Sequence, residues 1–267
     1  MQIHVLASGS TGNATLIKMA GANILVDAGI SCRRIKNALA AVGTAVEDLD
    51  AVLVTHEHRD HIAGLPTLSR KYRLPIYARP AAWQAMDNDG IGACVAGECR
   101  RDLPAALDIG KLKIEPFSTS HDAADPVGFS FYDRHRKCSL ATDLGFVTDT
   151  VKKGLALADA IVFEANHDVD MLKQGKYPWF LKQRILGNRG HLANTDAGWT
   201  LARLPRKSHC HVFLAHLSQE NNRPELAEAT VAGILGDQGC QLGKDITLTL
   251  THPDRTASLE QNKEDTV

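Results

Sequence analysis

The chain has 267 residues, of which 44% are hydrophobic and 23% are charged, a composition typical of a globular protein. Its 30 Lys and Arg residues balance 31 Asp and Glu residues, which argues against a protein that coats DNA but permits a local basic groove. No stretch approaches the roughly eighteen apolar residues of a membrane span, and the six cysteines form no Cys-x-x-Cys pair. We therefore expect a cytoplasmic protein with reduced thiols and no membrane partner.

The N-terminal half of the chain has the pattern of short strands with two helices between them. Turn-rich residues separate the first three strands, and a serine cap marks the start of the first helix. The predicted elements of this half are strands at Ile3–Ala7, Ala14–Met19, Asn23–Asp27, Asp50–Thr55 and Leu74–Ala78, and helices at Ser31–Val42 and Leu65–Tyr72.

The C-terminal half returns to strands from Leu112 onward and then alternates them with helices. Short helices fit the region from Val169 to Leu204. The other predicted elements are strands at Leu112–Ser118, Val127–Tyr132, Lys137–Thr142, Ala160–Glu164, His209–Ala215 and Ile246–Thr251, and helices at Thr148–Leu157 and Pro224–Leu235.

Strands dominate both halves, and no linker separates the halves. We therefore predict an α/β (α+β) fold of four layers, αββα, in which two mixed β-sheets are flanked by helices. A single domain is expected over residues 1–252, followed by a polar and flexible tail at residues 253–267.

A cluster of histidines directly follows the apolar strand at Asp50–Thr55. His56, His58, Asp60 and His61 lie within six residues of one another. Imidazole nitrogens and carboxylate oxygens suit zinc, manganese or iron. The cluster has more ligands than one ion needs, and a second metal at about 3.5–4 Å from the first would explain this. The alternative is a solvated polar loop in a chain with 12 histidines, which rarely produces this spacing by chance.

The His-x-His-x-Asp-His motif resembles that of the metallo-β-lactamase superfamily, and the resemblance extends along nearly the whole chain. His121, Asp143 and His216 each follow an apolar strand and match the family's later ligands in order. A single histidine at a strand end is often only a surface residue, so the order and context carry the assignment of His121 and His216. The resemblance implies the four-layer αββα metallo-β-lactamase sandwich, and the aspartate at 143 implies a bridged dinuclear site.

The resemblance also implies how two divalent ions, zinc or manganese, would be held in each chain. Asp143 would bridge the two ions. Asp60 would be a ligand of one ion and also a catalytic residue. One ion would take His56, His58, His121 and Asp143, and the other would take Asp60, His61, Asp143 and His216.

Several local segments are similar to the YycJ/WalJ-type exonuclease subfamily. That similarity implies 5′→3′ exonucleolytic cleavage of DNA, with a hydroxide that bridges the metals as the nucleophile. The segments are Ser8–Asn13, Glu164–Asp168, Tyr177–Asn194 and His216–Asn222.

The leaving alkoxide would need a proton, and Glu164 with His191 resembles the glutamate–histidine pair of related tRNA-processing endonucleases. His167 is a second candidate for this role or for a phosphate contact. In the alternative, His191 merely packs after Gly190.

Two groups of residues are candidates for binding the substrate. Lys182 and Arg184 lie in a basic segment that also contains Tyr177, Trp179 and Phe180; the cations could follow phosphates while the rings stack on unpaired bases. In the alternative, the rings of this segment face the core and its lysines face water. The second group is Ser8, Ser10 and Asn13, which could line the mouth of the site, although their segment also fits a simple turn between strands. The expected partner is a nucleic acid, DNA in the first instance.

Two other functions remain open from the sequence. The fold could hydrolyse a small substrate, such as a cyclic phosphodiester or a thioester. The chain could also be a non-catalytic metal-binding module, although all seven ligand positions are filled. The native metal, the choice between DNA and RNA, the end preference and the oligomeric state are not determined by the sequence.

Overall fold

Residues 1–260 are described here from a computed structural model, and they contain two seven-stranded sheets. The first sheet combines antiparallel hairpins near the N-terminus with parallel strands that follow helical crossovers. Its strands are β1 (Gln2–Ala7), β2 (Ala14–Met19), β3 (Ala22–Val26), β4 (Ala51–Leu53), β5 (Ile76–Ala78), β6 (Arg100–Asp102) and β14 (Ala257–Glu260), in the order β14-β1-β2-β3-β4-β5-β6.

The second sheet is also mixed, and its four strands from β10 to β13 run parallel. The runs of β10, β11 and β12 are largely buried, as expected for parallel strands covered on both faces, whereas β13 at the sheet edge is mostly half-buried. The strands are β7 (Leu107–Ile109), β8 (Leu112–Ser118), β9 (Val127–Tyr132), β10 (Lys137–Ala141), β11 (Ala160–Glu164), β12 (Cys210–Ala215) and β13 (Ile246–Leu250), in the order β13-β12-β11-β10-β9-β8-β7.

Helices connect the strands, and several begin at residues suited to a helix start. Ser31 accepts a hydrogen bond from the Arg34 N–H at the start of α1, and Asp168 accepts bonds from two N–H groups at the start of α6, as N-cap residues do. The helices are α1 (Cys32–Ala41), α2 (Arg59–Ile62), α3 (Leu65–Tyr72), α4 (Pro80–Asn88), α5 (Asp149–Leu155), α6 (Val169–Gln174), α7 (Trp179–Leu186), α8 (Asn194–Arg203) and α9 (Pro224–Asp237), with 3₁₀ turns at Val46–Asp48, Gly92–Cys94 and Gly97–Cys99.

The chain forms two compact units, each with its own buried apolar cluster. The first unit comprises Met1–Glu115, Ala123–Asp125 and the described residues from His252 onward, and the second comprises Pro116–Asp122 and Pro126–Thr251. The apolar core of the first unit includes Leu16, Leu25 and Val52, and the apolar core of the second unit includes Phe163, Val212 and Val231. The expectation of a single domain over residues 1–252 stays a prediction.

Most predicted elements form where the hydrophobic pattern placed them. Five of them begin and end at the predicted residues: Ala14–Met19, Leu65–Tyr72, Leu112–Ser118, Val127–Tyr132 and Ala160–Glu164. The strand predicted at Asp50–Thr55 is shorter, because the Thr55 N–H donates to the Asp27 carboxylate at 2.8 Å instead of to a neighbouring strand. The region between Ala78 and Leu112 contains α4, β6 and β7, none of which was predicted. β6 is a polar edge strand of three residues, so it carries no apolar alternation.

The predicted tail needs a correction over its first described part. Ala257–Glu260 forms β14, which pairs antiparallel with β1. Ala257 is buried and Ser258 is exposed, so the segment has the two-residue alternation of an edge strand, although it is short and mostly polar. The rest of the predicted tail, residues 261–267, lies outside the described residues.

The described helices include none long and apolar enough to cross a membrane. All six cysteines are free thiols.

Candidate metal centre

The first cluster consists of His56, His58, Asp60 and His61, which lie in the loop after β4 and in the following helix. His58 is the N-cap of α2, so Asp60 and His61 lie within a single turn of that helix. The ring centroid of His56 lies 4.5 Å from that of His58 and 4.2 Å from that of His61. His61 Nε2 lies 3.5 Å from Asp60 Oδ2. A sharp change from strand to loop to helix therefore gathers these four side chains within the first unit.

Asp27 and Thr55 orient two rings of the first cluster. Asp27 Oδ2 lies 2.7 Å from His61 Nδ1 and accepts a hydrogen bond from the Thr55 hydroxyl at 2.9 Å. The oxygen of that hydroxyl lies 3.0 Å from His56 Nδ1, and its own hydrogen points to Asp27. Both histidines therefore carry their proton on Nδ1 and keep a lone pair on Nε2, the arrangement that a metal requires.

The opening turn packs closely against this cluster. Asn13 is buried, and its side-chain amide lies 3.2 Å from His61 Nε2 and 3.4 Å from Asp60 Oδ2. A Cβ atom on Gly29 would lie 1.6 Å from the backbone oxygen of Asp60, so only glycine allows this approach. Asn13 therefore contacts the first cluster; in the same turn Ser8 is buried and Ser10 is exposed.

The second cluster consists of Asp143, Glu164, His191 and His216, together with His121. The first four can each contribute one ligand atom such that all four atoms lie within 4.8 Å of one another. Glu164 ends β11, while Asp143 and His216 follow β10 and β12. These three strands are parallel neighbours, so their carboxyl ends lie at one edge of the second sheet, where side chains for a site can converge.

Glu164 is the acceptor at the centre of the second cluster. It is fully buried, and its Oε1 lies 2.8 Å from His191 Nδ1 and 3.1 Å from His216 Nδ1. Its Oε2 accepts hydrogen bonds from the N–H groups of Leu144 at 2.9 Å and Leu192 at 3.2 Å. Burial raises the pKa of Glu164, but the two imidazoles outweigh it and hold this pKa below its ordinary value. Glu164 is therefore an ionised carboxylate that orients both rings.

The rings of His121 and His216 point their Nε2 atoms at the same oxygen of Asp143. His121 Nδ1 lies 2.9 Å from the Gly190 carbonyl, so this nitrogen carries the proton, as does the His216 Nδ1 beside Glu164. The two Nε2 atoms lie 3.8 Å and 3.5 Å from Asp143 Oδ1, and His121 Nε2 also lies 3.4 Å from Asp122 Oδ1. Burial lowers the pKa of His121, which favours the neutral ring. Lone pairs of two imidazoles thus converge on a carboxylate oxygen.

This arrangement fits a divalent cation. Facing lone pairs on nitrogen and oxygen repel one another in a buried site unless a positive charge lies between them. The donors are imidazoles and carboxylates, and the rings of His56, His61, His121 and His216 are each held through Nδ1 by a hydroxyl, a carboxylate or a carbonyl, as in known metal sites. The residues present therefore fit zinc or manganese, and they could hold a metal in each cluster.

Three residues in or next to the two clusters have a left-handed backbone although none is glycine. Asp27, Asp143 and His216 have φ values of 61°, 60° and 56°, and each lies just after a strand. This conformation is unfavourable for residues with a Cβ and is retained where the surroundings require it, often at functional sites. The Asn166 side-chain amide donates to the His216 carbonyl at 2.7 Å and supports this turn.

The two candidates for proton transfer have different surroundings. His191 is partly exposed and contacts Glu164, as described above. His167 is buried, and neither of its ring nitrogens has a hydrogen-bond partner among residues 1–260. Burial lowers the pKa of His167 to about 4, although Glu164 opposes this shift. His167 is therefore uncharged at neutral pH and has no proton to donate from an imidazolium.

The basic segment differs from either of its two interpretations. Trp179 is 65% exposed and Phe180 is 72% exposed, so these rings do not face the core. Lys182, in contrast, is buried, and its ammonium donates to the Lys173 carbonyl at 2.7 Å. Arg184 is largely exposed and forms a short ion pair with Asp122. The cation at 182 therefore has a structural contact, while the rings and Arg184 are accessible.

Sequence reasoning did not identify the supporting residues Asp27, Thr55 and Gly29. Asp27 and Gly29 follow β3, in a segment without any motif. A weak signal existed, because an aspartate at the end of an apolar strand and a nearby glycine are both common at sites built on strand ends. The contacts of Asp27 with His61 and of Gly29 with Asp60 join residues more than thirty positions apart in sequence, so the sequence pattern could not identify them.

Comparisons with known proteins agree with this arrangement. Residues 22–217 match the β-lactamase superfamily domain. The chain is 39% identical over 259 residues to the exodeoxyribonuclease YycJ of Bacillus anthracis, covering 95% of this chain and 96% of that protein. It is also 39% identical to the exodeoxyribonuclease WalJ of Streptococcus pneumoniae serotype 2, covering 96% of each protein.

A solved structure confirms the fold. The metallo-β-lactamase fold protein YhfI from Bacillus subtilis has a TM-score of 0.70 and 16% identity, over 96% of this chain and 98% of that one. This likeness confirms the predicted αββα metallo-β-lactamase sandwich, and the relatives above confirm a metal-dependent hydrolase. The chain therefore belongs to the β-lactamase superfamily and, within it, to the YycJ/WalJ exonuclease family.

Proposed function

We propose that this protein is a dinuclear metal-dependent phosphodiesterase that degrades DNA from the 5′ end. The observation that carries the proposal is the convergence of His121 Nε2 and His216 Nε2 on one oxygen of Asp143. A cation there would be shared through a carboxylate that can bridge to a second ion. The family relatives, which are named as exodeoxyribonucleases, support DNA as the substrate.

The proposed ligands are the seven residues predicted from the sequence. Family membership supports this set, and so do the contacts that hold His56 and His61 through Nδ1, the arrangement of histidine ligands in known metal sites. The seven residues are His56, His58, Asp60, His61, His121, Asp143 and His216.

Divalent ions bound there would supply a hydroxide nucleophile at neutral pH and offset the charge of the attacked phosphate. The protein's own contribution is to hold the ligands rigidly. Asp27 holds His61, Glu164 holds His216, and Gly190 holds His121, each through the Nδ1 atom. Such supporting contacts keep a site close to its working geometry, so little rearrangement is needed when the phosphate reacts.

His191 is the proposed proton donor to the leaving alkoxide. Its Nδ1 lies 2.8 Å from Glu164 Oε1, and this contact fixes the position of the ring. Nε2 of the imidazolium is then the atom that would release a proton as the phosphorus–oxygen bond breaks. Glu164 acts through this ring and is a positioning residue. The buried and uncharged state of His167 favours His191 over it.

To test this proposal, the protein is incubated with manganese or zinc and with oligonucleotides labelled at the 5′ or the 3′ end. The oligonucleotides are single- and double-stranded DNA and RNA. We expect metal-dependent release of 5′-terminal nucleotides from DNA. Asp143→Asn serves as the inactive control. Release from the 3′ end, or cleavage of RNA alone, would contradict the proposed direction or substrate. Turnover of a cyclic phosphodiester or a thioester but no polynucleotide would favour the small-substrate alternative.

The number of ions is tested separately, by metal analysis of the protein saturated with zinc or manganese. We expect close to two ions per chain, because the seven ligands exceed the needs of one tetrahedral ion. His58→Ala should reduce the metal content while leaving the core folded. At most one ion per chain at saturation would contradict the dinuclear site. The cytoplasmic location expected from the sequence stays a prediction.

A further inference from the structure

Large apolar side chains are exposed in one part of the second unit. Of the seven such residues among the described ones, six lie between residues 146 and 199. Scattered exposed apolar residues are ordinary, but a group of aromatic rings on a surface marks a binding site. The six are Phe146, Leu157, Trp179, Phe180, Leu186 and Trp199.

Three of these residues line one cavity, of about 580 Å³. They are Phe146, Leu186 and Trp199, exposed by 44%, 38% and 38%. Cavities of roughly 300–1,000 Å³ accommodate compact organic ligands. The Arg203 guanidinium lies over the Trp199 ring, 4.8 Å from its centroid. Arg203 also lines the cavity, so a cation and an aromatic ring lie side by side in its wall.

The cavity adjoins the second cluster. Leu192 lines it, and the Leu192 N–H donates to Glu164 Oε2 at 3.2 Å. Gly145 also lines it, two residues after Asp143. A ligand in the cavity would therefore lie next to residues that hold the proposed catalytic groups.

Helix α7 extends this apolar surface away from the cavity. Trp179 and Leu186 are seven residues apart and lie on the same face of the helix, separated by about 10 Å at a rise of about 1.5 Å per residue. Leu186 belongs to the cavity wall, and Phe180 follows Trp179 on the first turn. These exposed side chains, four aromatic rings and one leucine, form a surface that we call the aromatic track. It consists of Trp179, Phe180, Leu186, Phe146 and Trp199.

The charge around the track fits a polyanion. Between residues 169 and 191 there are four exposed Lys and Arg residues, Lys173, Lys176, Arg184 and Arg189, and one acidic residue, Asp170, although the whole chain has a net charge of −1. Lys152 and Arg203 add two cations to the cavity wall, against Asp196. Aromatic rings beside cations bind unpaired nucleic acid strands without sequence preference, because bases stack on the rings and phosphates meet the cations.

We propose that the aromatic track binds an unpaired polynucleotide strand, with one base stacked on Trp199 in the cavity and further bases on Trp179 and Phe180. This inference rests on the proposed nuclease function and extends it to the class of substrate.

The test uses the tryptophans themselves as probes. The chain has three, and Trp83 is buried with its Nε1–H bonded to the Arg101 carbonyl, so stacked bases should quench only the other two. The full chain with bound metal is titrated with oligo(dT), and hydrolysis of bis(p-nitrophenyl) phosphate is measured in parallel. Trp179→Ala and Trp199→Ala should each raise the dissociation constant for oligo(dT) about tenfold and barely change the small-substrate rate.

Two further variants serve as controls. Trp199→Phe should retain most of the affinity, because it keeps a ring for stacking. Leu242→Ala removes another exposed large apolar side chain outside the track and should match the wild type.

Unchanged dissociation constants in both tryptophan-to-alanine variants would overturn the track. So would variants that convert a dimer to a monomer without affecting oligo(dT) binding, since the rings would then cover a second copy of the chain. The proposed function fails on a different observation, namely that the wild type with metal cleaves no polynucleotide. If the wild type cleaves DNA and the variants bind oligo(dT) equally well, only the track is wrong.

Discussion

Asp27 Oδ2 lies 2.7 Å from Nδ1 of His61, and both side chains are buried. The carboxylate determines which nitrogen of His61 carries the proton and which direction the ring faces. Asp27 belongs to no motif, yet it holds a proposed metal ligand through a contact between residues that are distant in sequence.

Replacing Asp27 by Ala should weaken metal binding by about 10- to 100-fold, the usual effect of losing a carboxylate that supports a histidine ligand. Competition with a coloured chelator measures this affinity. Glu47→Ala removes an exposed carboxylate in the same unit and should have no effect. If Asp27→Ala binds metal as tightly as the wild type, the contact with His61 has no role in the site.

Asp143→Asn should reduce turnover at least about a hundredfold, the scale of losing a main electrostatic group of a site. The amide keeps the shape of the side chain but has no negative charge to hold two cations. Asp237→Asn, at an exposed position of α9, is the matched control. Turnover and metal content are measured together, and near-normal values of both would show that Asp143 does not bridge.

His191→Ala should retain metal and DNA binding but lose most turnover on DNA. Because a nitrophenolate departs without protonation, the variant should recover much of this loss on bis(p-nitrophenyl) phosphate. His135→Ala, at an exposed histidine, controls for the substitution itself. Equal losses on both substrates would remove His191 from the role of proton donor.

Gly29→Ala should destabilise the protein by about 3 kcal/mol, at the upper end of the cost of overpacking. The new Cβ would lie 1.6 Å from the Asp60 backbone oxygen and 2.6 Å from the Asn13 nitrogen, and backbone atoms cannot move aside as a flexible side chain can. Gly97→Ala has no atom within 4 Å of its added Cβ and should change stability by less than about 0.5 kcal/mol. Urea unfolding compares the two variants, and equal stabilities would contradict this packing.

Lys182→Ala and Arg184→Ala should have different effects, although both remove a cation from the basic segment. Lys182 donates from a buried position to the Lys173 carbonyl, so its loss should cost about 2 kcal/mol of stability. Arg184 is exposed and paired with Asp122 on the surface, a kind of ion pair that contributes little to stability. Its loss should instead lower the salt slope of oligonucleotide binding by about 1. Thermal melting and binding at several salt concentrations measure the two effects, and the reverse pattern would contradict both assignments.

Local patterns in the sequence determined most of the strands and helices and indicated the metallo-β-lactamase superfamily. Apolar runs bounded by turn residues predicted strands such as Val127–Tyr132 and Ala160–Glu164 with correct ends, because strand alternation and burial depend on neighbouring residues. The His-x-His-x-Asp-His spacing is equally local, so the histidine cluster was visible without any structure.

The tertiary structure alone decided what depends on residues distant in the chain. The contact of Asp27 with His61 and the approach of Gly29 to Asp60 arise after β3 of the first sheet, and the left-handed backbone of His216 arises after β12 of the second sheet. The exposure of Trp179 could not be predicted either, since a ring on a helix faces the core or the solvent according to what packs against it. Periodicity reports which residues share a face, whereas only the packed chain shows what that face meets.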